Sequence, residues 1–252
     1  MTNKLKYFIG NWKMFGDISS FKIINKINEY IIKNKFSTNK KIIMCIPNTL
    51  IYSFKEKMRL SPISLGAQNC HHEEKYGPYT GSVNASMLKS VGAEYVIIGH
   101  SERRQAGETN KILKKKIESA LRKKLNVIFC IGETYKEKKL RKTFFVLAKQ
   151  IRKSLDQKFD KNRIIIAYEP VWSIGTNKIP KIKELKNTVN FIKNNFKKSF
   201  KTNKPPIVLY GGSVNDKNIN LFSSIHQIDG FLIGSASQSS KKFIDIIKKY
   251  YT

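Results

Sequence analysis

The chain has 252 residues, 40% of them hydrophobic and 26% charged, and it carries a formal net charge of +30. This composition is typical of a globular protein, which excludes intrinsic disorder, and no apolar run approaches the ~20 residues of a membrane span. The N-terminus has no secretory signal, and Cys45, Cys70 and Cys130 lack the number and spacing of a disulfide framework or a zinc site. We therefore expect a cytoplasmic protein.

Eight short apolar runs alternate with longer lysine-rich segments of helical periodicity, and no hairpin signal lies between them. Alternating strands and helices predict a parallel sheet, and eight such units in about 250 residues match a (β/α)8 barrel. We expect one domain over residues 1–252, with a doubly wound open sheet as the alternative. The predicted strands are residues 7–10, 41–47, 64–69, 95–99, 126–132, 163–169, 207–211 and 230–234.

Two of the helical segments show the periodicity most clearly, because their apolar residues fall on one face. The first contains Phe21, Ile24, Ile27, Ile31 and Ile32, and the second contains Phe144, Leu147, Ala148 and Ile151. We expect these two faces to pack against the sheet.

Distinctive polar residues and glycines follow the predicted strands. In a barrel of parallel strands the carboxyl ends share one mouth, and the chemistry is located there. The sequence therefore predicts one shared site. The residues in these positions are Asn11, Lys13, Gln68, His100, Glu169, Gly211, Gly212, Ser213, Gly234 and Ser235.

Glu169 and His100 are the natural pair for proton transfer. A carboxylate can remove a proton from carbon while an imidazole polarises the neighbouring oxygen, and Lys13 supplies positive charge where an oxyanion forms. Each residue alone has an ordinary alternative: a helix cap for Glu169, a core position for His100 and a solvated side chain for Lys13. Their joint placement at the ends of three predicted strands favours the catalytic interpretation.

Two turns after the seventh and eighth strands contain glycine and serine, at Gly211 to Ser213 and at Gly234 and Ser235. Backbone N–H groups in such turns can hold a phosphate, and many barrels bind phosphate after these two strands. A single Gly-Gly pair is usually only a tight turn. Two turns in the two expected places indicate a phosphate site.

The excess of lysine has an alternative reading as a nucleic-acid-binding surface. The lysines are spread over the whole sequence, and no RNA-binding, zinc-finger or basic-zipper pattern is present. We interpret the charge as a general bias of composition and treat specific nucleic-acid binding as the disfavoured alternative. A positive field still speeds the encounter with an anionic substrate.

Seven motifs carry a resemblance to a known family. They are FIGNWKM at 8–14, AQN at 67–69, YTG at 79–81, IGHSERR at 98–104, CIGET at 130–134, AYEPVWSIGT at 167–176 and YGGSV at 210–214. In this order and spacing, the chain resembles the triosephosphate isomerases from near its start to Gly234.

The resemblance implies a TIM barrel that interconverts dihydroxyacetone phosphate and D-glyceraldehyde 3-phosphate through an enediolate, a step of glycolysis and gluconeogenesis. Glu169 then matches the base, His100 the electrophile, Lys13 and Asn11 the substrate-binding pair, and Glu102 the partner of the lysine. The family is itself the standard example of a glutamate base beside a neutral histidine, so the resemblance supplies that pairing. No metal or organic cofactor is implied, since the substrate's own carbonyl acidifies the C–H bond.

The same resemblance makes residues 170–178 a lid over the substrate. Pro170, Val171 and Trp172 match a stiff hinge, and Gly175 brings a backbone N–H to the phosphate. Closure excludes water and discourages loss of phosphate from the enediolate.

The region 68–83 resembles the loop that inserts into a neighbouring subunit, with Thr80 near its tip, and so implies a homodimer. His71 and His72 lie in this region, and histidines can bind metal, so an alternative function for the region is a metal site. That alternative is disfavoured, because adjacent side chains of an extended chain point to opposite sides and no third ligand is evident.

Four residues depart from the family pattern. Ser235 replaces a glycine of the phosphate turn, Asn177 replaces a lid glycine, Pro180 stands at the C-terminal hinge of the lid, and Ser82 replaces a glutamate after YTG. Serine is unfavourable at position 235 only if φ is positive there, and asparagine tolerates such backbone better than most residues. We expect these changes to affect rate and dimer strength, since none replaces a matched catalytic group.

Overall fold

The computed structural model describes residues 5–34 and 39–251. In this part of the chain eight parallel strands close into a barrel in sequence order, with the last strand paired to the first. The predicted (β/α)8 fold is confirmed, and the open sheet is excluded because no strand of the barrel is left at an edge. The strands are β1 (Lys6–Asn11), β2 (Lys40–Cys45), β3 (Ser64–Ala67), β4 (Tyr95–Ile98), β5 (Asn126–Ile131), β6 (Ile164–Tyr168), β7 (Ile207–Tyr210) and β8 (Gly230–Ile233).

Helices in the segments between the strands cover the outside of the barrel. Within residues 5–34 and 39–251, no helix has the length and apolar character that a bilayer span requires. The helices of this part of the chain are α1 (Phe21–Lys33), α2 (Asn48–Lys57), α3 (Ala85–Ser90), α4 (Ser101–Gln105), α5 (Asn110–Arg122), α6 (Tyr135–Lys139), α7 (Thr143–Ser154), α8 (Ile182–Phe200) and α9 (Ser240–Tyr251).

Side chains of each strand alternate between two cores, as the period of two requires. In β2, Ile43 and Cys45 point into the barrel and pack with Ile9 of β1, whereas Ile42 and Met44 face the helices. The inside of the barrel is therefore filled with apolar side chains. A polar site is left to the loops at the strand ends.

The predicted helix faces are confirmed with two exceptions. Of the predicted members, Phe21 and Ala148 are half-buried, and the buried ones are Ile24, Ile27, Ile31, Leu147 and Ile151. Ile32 is 58% exposed because it lies about 100° around the helix from the buried Ile31. Phe144 is 44% exposed, and its ring stacks on Phe191 of α8 with 4.3 Å between the centroids. These two side chains do not face the sheet.

The segment after β3 differs from its prediction at the two histidines. His71 forms an isolated parallel bridge with Asn84, and the chain bends at His72. The two imidazole centroids are 4.4 Å apart, so the prediction that the rings point to opposite sides is wrong. A bend, unlike an extended strand, brings neighbouring side chains to the same side. Among the described residues, no group of three His, Cys, Asp or Glu side chains is arranged to hold a metal ion.

Candidate active site

Glu169 comes directly after β6, at the carboxyl end of the barrel, and only 3% of it is exposed. Its backbone N–H donates to the carbonyl of Ile131 on β5 at 2.8 Å, so the sheet fixes its position. A Cβ added to Gly211 would lie 2.7 Å from Glu169 Cγ, and one added to Gly132 would lie 1.8 Å from the Glu169 carbonyl oxygen. A side chain at either position would clash with Glu169, so glycine at both positions allows Glu169 to lie where it does.

His100 follows β4 and caps the N-terminus of α4. Its Nδ1 accepts a hydrogen bond from the backbone N–H of Glu102 at 3.3 Å. A ring nitrogen that accepts a hydrogen bond carries no proton, so this contact selects the neutral tautomer with its proton on Nε2. Nε2 lies 3.4 Å from Oε1 of Glu169. The fold thus directs the N–H of the imidazole toward the carboxylate and the space beside it.

Lys13 has an unusual backbone, with φ at 59° in the left-handed region. Its N–H donates to Oδ1 of the buried Asn11 at 3.1 Å, and its Nζ donates to Oε1 of Glu102 at 2.6 Å. A Cβ added to Gly234 would have Cε of Lys13 as its nearest neighbour, at 3.9 Å. The ends of β1 and β8 therefore meet at this lysine. Strained backbone that neighbouring contacts hold in place is common at functional sites.

The two carboxylates near Lys13 and His100 differ in their electrostatics. Burial raises the pKa of Glu169, and His100, Cys130 and Lys13 offset only part of that effect. Its Oε2 is buried and has no hydrogen-bond partner among the described residues. Burial also acts to raise the pKa of Glu102, but the hydrogen bond from Lys13 and the electrostatic interactions with His100 and Lys13 together outweigh it, so that pKa lies below its usual value. Glu169 is thus suited to take a proton, and Glu102 to stay charged beside the lysine.

The predicted phosphate-binding residues lie around the same mouth. The N–H of Ser213 donates to Oγ of Ser173, in the predicted lid, at 3.3 Å, and that Oγ also lies 3.1 Å from the hydroxyl of Tyr210. Ser235 begins a short 3-10 turn after β8, and its φ is not positive, so serine causes no left-handed strain there. Gly175 has φ at 69° and open space around it. Ser213 contacts the predicted lid, whereas no hydrogen bond joins Gly175 to either turn in the described part of the chain.

Asn177, in the predicted lid, has φ at 59°, the conformation for which glycine is usual. Asparagine is among the non-glycine residues that adopt this region most readily. The replacement of a lid glycine is therefore compatible with the backbone.

Sequence reasoning missed two side chains that contact the site. Glu133 is 1% exposed and accepts hydrogen bonds from Nε1 of Trp172 at 3.0 Å and from the hydroxyl of Tyr168 at 3.2 Å. Cys130 lies close enough to Glu169 to oppose the rise of its pKa. Both residues belong to the CIGET motif at the end of β5, and β5 pairs with β6. The order of strands in a barrel was the signal that could have placed them beside Glu169.

With this geometry in place, comparison with known proteins decides the family. Residues 6–250 match the family model for triosephosphate isomerase. The chain is 39% identical over 251 residues to the triosephosphate isomerase of Dictyoglomus thermophilum, with 96% of this chain and 98% of that protein covered. The chain belongs to the triosephosphate isomerase family.

Relatives of this family also share the whole fold. The triosephosphate isomerase of Bartonella henselae is 38% identical over 254 residues, with 99% of each chain covered. The crystal structure of triosephosphate isomerase from Bartonella henselae superposes with a TM-score of 0.87 at 35% identity, over 98% of this chain and 99% of that one. The chain is accordingly an isomerase that interconverts dihydroxyacetone phosphate and glyceraldehyde 3-phosphate in glycolysis, as its motifs indicate.

Proposed function

We propose that Glu169 carries out the proton transfers of this isomerisation and that His100 and Lys13 stabilise the charge that forms on the substrate oxygens. One observation carries the proposal: Glu169 is buried with Oε2 unpartnered, while its Oε1 lies 3.4 Å from Nε2 of His100. A free carboxylate oxygen can accept a proton from carbon, and an N–H beside it can donate to the adjacent oxygen.

The reaction then needs only the substrate's own atoms and these side chains. Glu169 removes a proton from C1 of dihydroxyacetone phosphate, the C–H electron pair forms the double bond to C2, and the carbonyl oxygen gains the negative charge. Nε2–H of His100 donates to the two oxygens, and Nζ of Lys13 offsets their charge. His100 gives its Nε2 proton to the C2 oxygen and takes the proton of the C1 hydroxyl. Protonated Glu169 returns its proton to C2 as the C1–O bond becomes the carbonyl, which gives glyceraldehyde 3-phosphate with no net gain or loss of atoms.

The remaining predicted residues hold the substrate in this proposal. Asn11 positions the backbone of Lys13, and Glu102 holds its ammonium. The phosphate is held by backbone N–H groups of the two turns and of the lid, which we assign to residues 170–178. The residues that donate these N–H groups are Gly175, Ser213, Gly234 and Ser235.

An isomerase assay coupled to glycerol 3-phosphate dehydrogenase, on the wild type and on Glu169→Gln, tests the proposal. We expect the substitution to lower kcat by about two to four orders of magnitude, the usual contribution of a positioned general base. Glu118→Gln is the matched control, because Glu118 pairs with Arg122 on α5 and has no contact with the mouth. Full activity of Glu169→Gln would refute the assignment of the base.

We also propose that the chain forms a homodimer through the loop at 68–83. Tyr76, Tyr79 and Met87 are 78%, 42% and 40% exposed and line one depression of about 220 Å³. Clustered exposed apolar side chains of this kind favour a covered surface. Sedimentation velocity tests this proposal. A dimer at micromolar concentration is expected, and a fully active monomer would contradict it.

We propose a cytoplasmic location, since the substrates are intermediates of glycolysis. The three cysteines are free and buried, which fits a reducing compartment. Cell fractionation followed by the isomerase assay tests the location, and activity confined to secreted material would refute it.

A further inference from the structure

Lys138 in α6 contacts the N-terminal hinge of the proposed lid and the helix that follows the lid. Its Nζ lies 3.8 Å from the ring centroid of Trp172, in the N-terminal hinge. The same Nζ lies 3.2 Å from Oε2 of Glu184, in the first turn of α8 and four residues after Pro180 at the C-terminal hinge. One ammonium group therefore links the tryptophan of one hinge to the helix that follows the other.

The indole of Trp172 is held from two directions. Glu133 accepts from its Nε1 at 3.0 Å, and the ammonium of Lys138 lies over its face. A tryptophan face is the best aromatic partner for a cation, and the attraction grows as water is excluded. The Lys138 side chain is 32% exposed, so the contact is only partly screened. Glu184 is 51% exposed, so its ion pair contributes little by itself and serves mainly to orient the ammonium.

Other lysines of α6 do not share this arrangement. Lys136 is exposed and has no carboxylate partner among the described residues, and Lys139 lies over Tyr135 instead. The three lysines carry the same charge, and of these three only Lys138 contacts Trp172 and Glu184. This difference supplies a matched control on the same helix.

A cavity of about 280 Å³ adjoins the contact, lined by Trp172, Pro180 and Phe144 as well as by Lys138 and Glu184. It gives the indole room to move when the lid moves. Any movement of the indole changes its distance from Lys138, so the contact is stronger in some lid conformations than in others. A contact with this property shifts the equilibrium between the conformations.

The lid conformation that Lys138 stabilises is the substrate-free one. The N–H of Ser213, which we assign to the phosphate, donates here to Oγ of Ser173 in the lid. Phosphate binding has to displace Ser173 from this N–H, and Ser173 is the residue next to Trp172. The present position of Trp172 therefore belongs to the lid before substrate binds.

We propose that Lys138 is a positioning residue that holds Trp172 and thereby favours the substrate-free conformation of the lid. This inference rests on the proposed phosphate site and lid. Lys138 touches no reacting atom and acts through Trp172, with Glu184 as its anchor. Removing the contact makes closure more favourable, so phosphate esters bind more tightly.

Titration of Lys138→Met with sn-glycerol 3-phosphate, a phosphate ester without a carbonyl, tests the proposal by calorimetry. We expect Kd to fall about two- to tenfold, which corresponds to the loss of one partly exposed cation–π contact. The sign is diagnostic, because removing a positive charge by itself weakens the binding of an anion. Lys136→Met removes the same charge from the same helix and is expected to bind slightly less tightly than the wild type. Lys138→Arg is expected to restore the wild-type Kd.

A second readout needs no ligand. Trp12 is fully buried, so acrylamide quenching of tryptophan fluorescence reports Trp172. Quenching is expected to increase in Lys138→Met and to stay unchanged in Lys136→Met. Unchanged quenching, or an unchanged or raised Kd in Lys138→Met, would overturn the proposal. If the wild type fails to bind sn-glycerol 3-phosphate, the phosphate site is refuted, and the quenching result still decides whether Lys138 holds Trp172.

Discussion

Asp229 and Glu169 are buried carboxylates at opposite ends of the barrel, and they are used in opposite ways. Asp229, just before β8, is 4% exposed, and its Oδ2 accepts from the backbone N–H of Val208 at 2.8 Å and from Nζ of Lys193 at 2.6 Å. Glu169, just after β6, is 3% exposed, and its Oε2 has no partner in the described part of the chain. The two carboxylates are buried to a similar extent, but Asp229 has a hydrogen-bonded and charged partner where Glu169 has an oxygen without a partner.

The difference shows what distinguishes a structural carboxylate from one suited to proton transfer. Burial of a charged group is unfavourable unless hydrogen bonds and an opposite charge compensate for it. Asp229 has both, so it joins β7 and β8 to α8. Glu169 lacks part of this compensation, and burial raises its pKa. The unfavourable burial of Glu169 is therefore the source of its basicity.

The largest expected effect comes from a substitution of Asp229, the paired carboxylate, and it concerns stability. Asp229→Asn removes the charge that faces Lys193 while preserving size, and we expect the free energy of unfolding to fall by about 3–5 kcal/mol, as when one partner of a buried ion pair is removed. Urea denaturation measures this change. The kcat of the folded fraction is expected to remain close to wild type. An Asp229→Asn protein that is as stable as the wild type but has a low kcat would contradict the structural role of Asp229.

A smaller effect is expected from a substitution that displaces the proposed base without removing it. Gly211→Ala places a Cβ 2.7 Å from Cγ of Glu169, and Gly211 is outside the left-handed region, so the effect is steric only. We expect kcat/KM to fall about a hundredfold, since a displacement of about 1 Å is enough for that loss. Thermal denaturation of the same protein serves as the control. An unchanged kcat/KM would show that the position of Glu169 is not critical.

The smallest effect concerns pH and gives opposite trends for activity and stability. Because the pKa of Glu169 is raised in the folded protein, the unfolded chain loses this proton first, above about pH 4.3. Between that pH and the raised pKa the free energy of unfolding falls as pH rises, whereas kcat/KM rises because the carboxylate forms. Glu169→Gln is expected to remove this part of the stability slope. A slope that persists in the variant would assign it to another group.

Much of the fold and of the mouth was predictable because both follow from short-range patterns. Each predicted strand lies within two residues of the observed one, since an apolar run bounded by polar residues defines a buried parallel strand. Glu169, His100 and Lys13 were predictable as neighbours because parallel strands bring their carboxyl ends together. The helix faces were predictable except at Ile32 and Phe144, where the apolar residue lies beside the buried stripe.

The remaining features depend on contacts between distant segments or on backbone angles. The contacts of Glu133 with Trp172, of Lys138 with Trp172 and of Ser173 with Ser213 join residues 34 to 40 positions apart. No local pattern encodes such pairs. The side-by-side rings of His71 and His72 depend on a bend that the sequence does not mark with glycine or proline.

Isomerisation in D₂O tests the central claim most directly, namely that Glu169 moves the proton between adjacent carbons. A carboxylate that holds the abstracted proton can exchange it with solvent, so we expect deuterium bonded to carbon in the product and much slower incorporation with Glu169→Gln. Mass spectrometry of the trapped product measures both. Product formed at the full rate without carbon-bound deuterium would point to direct hydride transfer between the carbons and would contradict the account.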